Sequence, residues 1–219
     1  MGREIDLLQS LPKGNRKLKE RKRARTPDVI DQARKFGELY FDGPREYGYG
    51  GYYYDGRWQS VARQIVKQYN IASGMKILDI GCAKGFLLKD LKDQIPGLNV
   101  FGIDISSYAI KNCHPEVVGD VYVGDAKTLF FPDNSFDLVI SINTLHNLYE
   151  SEVLIALQEI ERVSKKFSYI VVDSYRTEEE RELFENWVLT ANFHGYPQEW
   201  QHVFEKARYT GDYSWTIIN

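Results

Sequence analysis

The sequence predicts an α/β fold, a doubly wound and mostly parallel sheet preceded by an N-terminal helical extension. Three observations carry this reading. From Lys76 onward, short Val/Ile/Leu-rich runs alternate with helical segments. The runs are continuous rather than alternating, as in strands buried on both faces. Repeated β–α units of this kind imply parallel strands joined by crossover helices. At 219 residues and 43% apolar the chain can bury one sizeable core, and no second hydrophobic pattern asks for another.

Residues 1–25 read as a basic tail, flexible or helical. Between Leu11 and Arg25 eight residues are basic and only Glu20 is acidic. Such a block either grips phosphates by counterion release or is a solvated like-charge run. Residues 26–70 form a helical and Tyr/Gly-rich extension. Thr26 can cap a helix and Pro27 fits its first position, where a missing N–H costs nothing. Ile30, Ala33, Phe36 or Gly37, and Tyr40 make one helical stripe, which Asp42-Gly43-Pro44 ends. From Arg45 to Trp58, five tyrosines interleave with four glycines. Tyrosine supplies rigid area with a polar tip, and glycine permits tight bends. That combination suits a wall over a bound molecule better than a linker, with core packing as the alternative. A second amphipathic helix aligns Val61, Ile65, Val66 and Tyr69. Trp58, Trp187 and Trp200 read as core.

Residues 71–219 hold the main domain. "KILDIG" is a strand, "FLLKDLKDQI" a helix, "NVFGIDI" a strand and "SYAIKNC" a short helix. "VYVGDA" ends a strand, "FDLVISIN" is a strand, "EVLIALQEIERVS" a helix and "FSYIVVDSY" a strand. "TEEERELFENW" follows as a helix with Thr177 and Glu180 at capping-box spacing. "PQEWQHVFEKA" is helical and "DYSWTII" reads as a terminal strand.

In such sheets ligands bind beyond the carboxyl ends of the strands, where strand order reverses. The first end, "DIGCAKGF", places Gly81 and Gly85 around a tight turn before a helix. Small residues there let backbone N–H groups approach a ligand. The dinucleotide fingerprint G-x-G-x-x-G fails, because Ala83 and Phe86 stand at its second and third glycines. At the second end Asp104 lies 25 residues after Asp79 and can accept both hydroxyls of a ribose. Asp125 and Ala126 at the third end suit an adenine edge, and Asn143, His146 and Asn147 follow the fourth.

The ordered set D-I-G-C-A-K-G, G-I-D-I, G-D-A and S-F-D-L-V-I-S-I-N-T-L-H-N-L resembles the class I S-adenosylmethionine-dependent methyltransferases. It is most similar to the small-molecule branch that includes ubiquinone and sugar methyltransferases, over roughly residues 61–173. The resemblance implies a Rossmann-like domain with a sheet of the seven-stranded type, an N-terminal helical extension serving as a lid, S-adenosyl-L-methionine as cofactor and S-adenosyl-L-homocysteine as product. It places Asp79, Gly81, Cys82, Ala83 and Gly85 around the methionine portion. It gives Asp104 to the ribose, Ile105 to the adenine face, Asp125 and Ala126 to the adenine edge, and Asn143 to the sulfonium side. Arg57 and Arg63 are candidates for the methionyl carboxylate, with Tyr54 beside them. Lys84 departs from the usual small residue and is expected to point outward. The family also ends in an antiparallel strand pair, for which "WVLTANFH" is the available partner or a substrate wall.

Methyl transfer requires positioning and exclusion of water, and a hydroxyl acceptor also requires a base. His146 and His194 are the candidate bases, His146 alternatively capping a helix or packing. Tyr52, Tyr53, Tyr175 and Arg176 are candidate substrate contacts. The expected activity is methyl transfer to a small polar acceptor, a sugar or nucleotide-sugar hydroxyl or amine. The alternatives are an RNA methyltransferase gripping through residues 13–25, a nicotinamide enzyme, and a non-catalytic protein that holds the cofactor. No apolar run approaches the roughly 18 residues of a membrane helix. The N-terminus lacks the apolar stretch of a signal peptide. Two cysteines do not make a disulfide framework, so a cytoplasmic location is expected. A net charge of −3 gives no global nucleic-acid signature. No metal is implied.

Overall fold

A computed structural model describes residues 2–12 and 16–218, so Lys13 of the basic block lies outside the described residues. Six parallel strands, β1 (Lys76–Ile80), β2 (Asn99–Asp104), β3 (Val121–Val123), β4 (Phe136–Ile142), β5 (Ser164–Ser174) and β6 (Asp212–Ile217), form one sheet in the order β3-β2-β1-β4-β5-β6. All five pairings are parallel. The order reverses between β1 and β4, and this opens a crevice at their carboxyl ends.

Both faces of the sheet are buried, which is why its strands read as unbroken apolar runs. Leu78, Ile80, Val139, Ile170 and Val172 face one core, shared with α7 (Glu150–Val163) and α9 (Pro197–Ala207). Ile77, Leu138, Ile140, Tyr169 and Val171 face the other, shared with α4 (Gln59–Tyr69) and α5 (Phe86–Gln94). The short α6 (Ser107–Lys111) follows β2, and α8 (Glu178–Trp187) follows β5.

The sheet departs from expectation at its end. Among the described residues it has six strands rather than seven, and β6 runs parallel to β5, with no antiparallel terminal pair. The "WVLTANFH" stretch is irregular beyond Trp187. The amides of Asn192 and Phe193 donate to the His146 carbonyl at 2.9 and 3.1 Å. The chain's own start covers the outer edge of β6. The Ile5 amide donates to Tyr213 O at 2.8 Å, and the Tyr213 amide donates to Arg3 O at 3.0 Å. Leu7 is buried, its amide donates to the Tyr169 hydroxyl at 3.2 Å, and that hydroxyl donates to Ile5 O at 3.0 Å.

Part of the basic segment is helical and packs on the rest of the chain. In α1 (Leu18–Ala24) Arg21 is buried, donates to the carbonyls of Glu46 and Gly48 at 2.8 and 3.0 Å, and stacks over Trp187 at 4.9 Å. Burial, with the charge of Arg45 second, lowers its guanidinium to about 10. The predicted single helix of the lid is two, α2 (Pro27–Ala33) and α3 (Glu38–Phe41), broken at Phe36 with φ +49. Thr26 caps α2 and Pro27 opens it, as expected from sequence. A non-glycine residue in the left-handed region is held there by tertiary contacts, here a 2.5 Å hydrogen bond from Ser106 Oγ to Phe36 O.

Candidate active site

The carboxyl ends of β1, β2 and β4 and the loop after β3 meet the lid around one cavity of about 410 Å³. Its floor is the turn after β1. Gly81, at φ +80, lies so close to Thr144 that an added Cβ would stand 1.9 Å from its hydroxyl, so only glycine closes this turn. Ala83, at φ +50, donates its amide to Asp104 Oδ2 at 2.8 Å. The Ser106 amide holds the other Asp104 oxygen at 2.8 Å. Burial raises the Asp104 carboxyl, and these two backbone donors oppose the rise.

Asp79 stands across the same turn, 4% exposed. Burial first, and the charge of Asp104 second, push its carboxyl up to about 7. The ionised form of a buried acid of this kind would be favoured by a nearby cation. Ile105 leaves 58% of its surface accessible and lines the cavity, as do Asp125 and Ala126. Asp125 is oriented by the Lys127 amide at 2.9 Å. An acid for an ammonium, an acid for a ribose and an exposed apolar side chain for an adenine form a donor set that fits S-adenosylmethionine.

The opposite wall is aromatic, made by Phe36, Tyr40, Phe41, Tyr49, Tyr52 and Trp58. Tyr49 and Tyr52 sit 4.4 Å apart between ring centroids, Tyr40 and Tyr49 5.2 Å, and Tyr52 stacks on Phe86 at 4.9 Å. Tyr49 keeps 42% of its surface accessible, yet burial raises its hydroxyl well above the usual range, because that surface faces the cavity. Burial raises Tyr40 and Tyr52 as well, so all three stay neutral phenols.

Of the expected cofactor residues, Arg57, Asp79, Gly81, Cys82, Ala83, Asp104, Ile105, Asp125, Ala126 and Asn143 line this cavity. Tyr54, Arg63 and Gly85 do not. The Tyr54 hydroxyl turns to α5 and donates to Asp90 at 2.6 Å. Arg63 is exposed on α4. Gly85 starts α5, where an added Cβ would meet Val117 at 2.7 Å, which is a packing constraint. Arg57 reaches the cavity but is already clasped by Asp55, its Nη2 2.6 Å from Oδ2.

Of the substrate candidates Tyr52 lines the wall, whereas Tyr53 is 72% exposed. Tyr175 is buried against Phe184 and Ile218, and Arg176 pairs with Glu4 at 3.2 Å. Neither histidine is brought to the cavity. The His146 ring is buried behind it, with Nδ1 accepting from the Asp173 amide at 3.2 Å and Nε2 3.4 Å from Asp173 Oδ2. His194 shares a hydrogen bond with the Tyr175 hydroxyl at 3.1 Å and packs on Phe184. Lys84, expected to point outward, turns inward and is buried against Asp42.

The reading from sequence did not single out Phe36, Tyr40, Phe41 or Tyr49 as wall residues, and Trp58, read as core, packs against the core and also lines the cavity. Tyr49 belonged to the Tyr/Gly run and was accessible to that reading. Phe36 and Tyr40 were masked by a helical stripe that the break at Phe36 turns aside.

This fold and donor set define a class. Residues 78–172, less than half of the chain, match the family described as a methyltransferase domain, and this domain is of the class I S-adenosylmethionine-dependent type, with S-adenosylmethionine as cofactor. The 2-methyl-6-phytyl-1,4-hydroquinone methyltransferase of Synechocystis is 30% identical over 133 residues, 59% of this chain and 41% of that protein. The mitochondrial arginine-hydroxylase NDUFAF5 of Rattus norvegicus is 35% identical over 99 residues, 44% of this chain and 28% of that protein. The chain thus spans less than half the length of these curated relatives. The crystal structure of a SAM dependent methyltransferase from Aquifex aeolicus superposes with a TM-score of 0.52 at 20% identity over 88% of both chains, a likeness of fold.

Proposed function

We propose that the protein transfers the methyl group of S-adenosylmethionine to a small acceptor held against the aromatic wall. The observation that carries this is one cavity with two chemically distinct halves. Paired acids flank a tight turn on one side, and neutral aromatic rings face them on the other. When bound, the cofactor supplies a methyl already activated on a sulfonium. Asp79 and Asp104 hold the cofactor's cationic and hydroxylated parts, and the wall excludes water and orients the acceptor.

Among the acceptors suggested by sequence, the site favours an amine, such as an amino sugar, over a hydroxyl. No histidine lines the cavity among the described residues, and its carboxylates belong to the cofactor half. A neutral amine needs no base, and tyrosine faces attract the ammonium that forms. The RNA reading has lost part of its grip, because Arg21 is buried and Arg16 lies over Trp187.

Calorimetry with S-adenosylhomocysteine on the wild type and on Asp104→Ala tests the cofactor half. Equal binding by both sinks the assignment. Label transfer from methyl-labelled cofactor to matched amine and hydroxyl sugars tests the acceptor half, with the amine expected to take the label. No transfer to any amine, together with hydroxylated product on supplying oxygen and reductant, would place the chain with its hydroxylase relative instead.

A further inference from the structure

Lys84 is the residue in the cofactor turn that the proposed chemistry leaves unexplained. Its ammonium donates to both oxygens of Asp42, at 2.8 and 2.7 Å, with 9% of its side chain exposed. Asp42, which ends α3, also accepts from the Tyr108 hydroxyl of α6 at 2.8 Å and from the Tyr52 amide at 3.1 Å. One carboxylate therefore gathers the cofactor turn, α6 and the aromatic wall. Burial works against its charge, and the hydrogen bonds from Lys84 and Tyr108 more than offset it, holding the carboxyl below its ordinary value.

The connection continues on both sides. Ala83, next to Lys84, donates to Asp104 at 2.8 Å. Tyr52 packs on Tyr49 in a tilted pair at 4.4 Å, and the amides of Tyr49 and Gly51 donate to Tyr40 O and Phe41 O at 2.8 and 3.1 Å. A short path of bonded groups thus joins the ribose acid to the wall, through Ala83, Lys84, Asp42 and Tyr52. Neither Lys84 nor Asp42 lines the cavity, so neither is placed to touch cofactor or acceptor.

We propose that Lys84 and Asp42 are positioning residues that couple occupancy of the cofactor turn to the order of the acceptor wall. This rests on the cofactor reading above. Cofactor that fixes the turn fixes Lys84, and through Asp42 it fixes the backbone that carries Tyr49 and Tyr52. The acceptor site is then complete only when the cofactor is present. The ion pair matters for this, since an uncharged residue at either position leaves a weaker hydrogen bond between the turn and the side chain that holds Tyr52.

Hydrogen exchange on the intact chain, with and without saturating S-adenosylhomocysteine, tests the coupling. In the wild type the ligand should slow exchange about tenfold both in residues 81–86 and in residues 47–54. In Asp42→Asn and in Lys84→Gln, protection of 81–86 should persist while that of 47–54 is lost. The charge-conserving Lys84→Arg, which leaves Asp42 to accept from the Tyr52 amide, should retain protection at 47–54, which a loss of general stability would not do. If either single variant fails to fold, judged by circular dichroism, the other decides. Full protection of 47–54 in a folded single variant overturns the coupling, as does a wild type in which the ligand protects 81–86 alone. No binding by the wild type overturns the cofactor reading instead.

Discussion

Asp79 shows how a single side chain can be placed against its own stability. Its carboxyl stands at about 7, raised by burial and by Asp104, against roughly 3.9 for a free aspartate. Because folding favours the protonated form, its contribution to stability is full below about pH 4 and is lost as pH rises through 7. A cationic ligand has the opposite preference. The affinity for S-adenosylhomocysteine, whose ammonium would meet this carboxylate, should therefore rise about tenfold between pH 6 and pH 8, measured by calorimetry. Asp79→Asn should flatten that dependence, weaken binding, and raise the unliganded melting temperature at pH 8 by roughly 2–4 °C. A different outcome is expected at His146. Both of its ring nitrogens face Asp173, whose carboxyl is raised by burial and lowered in part by that contact. His146→Ala leaves a buried acid unpaired and should cost about 3 kcal/mol in a urea melt. Its affinity for S-adenosylhomocysteine should stay near that of the wild type. A large loss of binding with no loss of stability would return His146 to the site.

Among the elements, the N-terminal segment has the least predictable role. An open edge strand invites pairing with other chains, and residues 3–5 occupy that edge on β6. Leu7 anchors the segment in the core that backs β5, and Tyr169 bonds its backbone on both sides of Asp6. Leu7→Ala should therefore cost about 2–4 kcal/mol, read as a lower urea midpoint. A shift below about half a kcal/mol would show that the segment is peripheral. The lid behaves similarly. Arg21 of α1 ties the Tyr/Gly run to the domain through two carbonyls and Trp187, so basic residues that look solvated in sequence act as clips.

For the whole molecule, the cavity lies where the strand order reverses, with the lid as its second wall, so ligand binding should stabilise the fold globally. At a hundred times its dissociation constant S-adenosylhomocysteine contributes about 2.7 kcal/mol, a rise in melting temperature of roughly 5–10 °C for a chain of this size. Asp104→Ala should abolish the shift in a thermal melt at the same concentration.

The sheet, its crossover helices and the acids at its strand ends were legible in the linear sequence, because continuous apolar runs and turn residues are local signals. Thr26, Pro27, Gly81, Asp79 and Asp104 each carry a local physical meaning that survives into the fold. What sequence reading missed lay in contacts between distant segments. The break at Phe36 depends on Ser106, the inward turn of Lys84 depends on Asp42, and the removal of His146 from the cavity depends on Asp173. The direction of β6 and the covering of its edge are likewise pairings between chain ends. The sequence by itself determined the fold class and most of the strand-end residues that line the cavity, since those residues are placed by the strand or turn that bears them. Only the tertiary structure decided the acceptor wall and its charge pairs, since burial and partner choice exist only once remote segments are packed together.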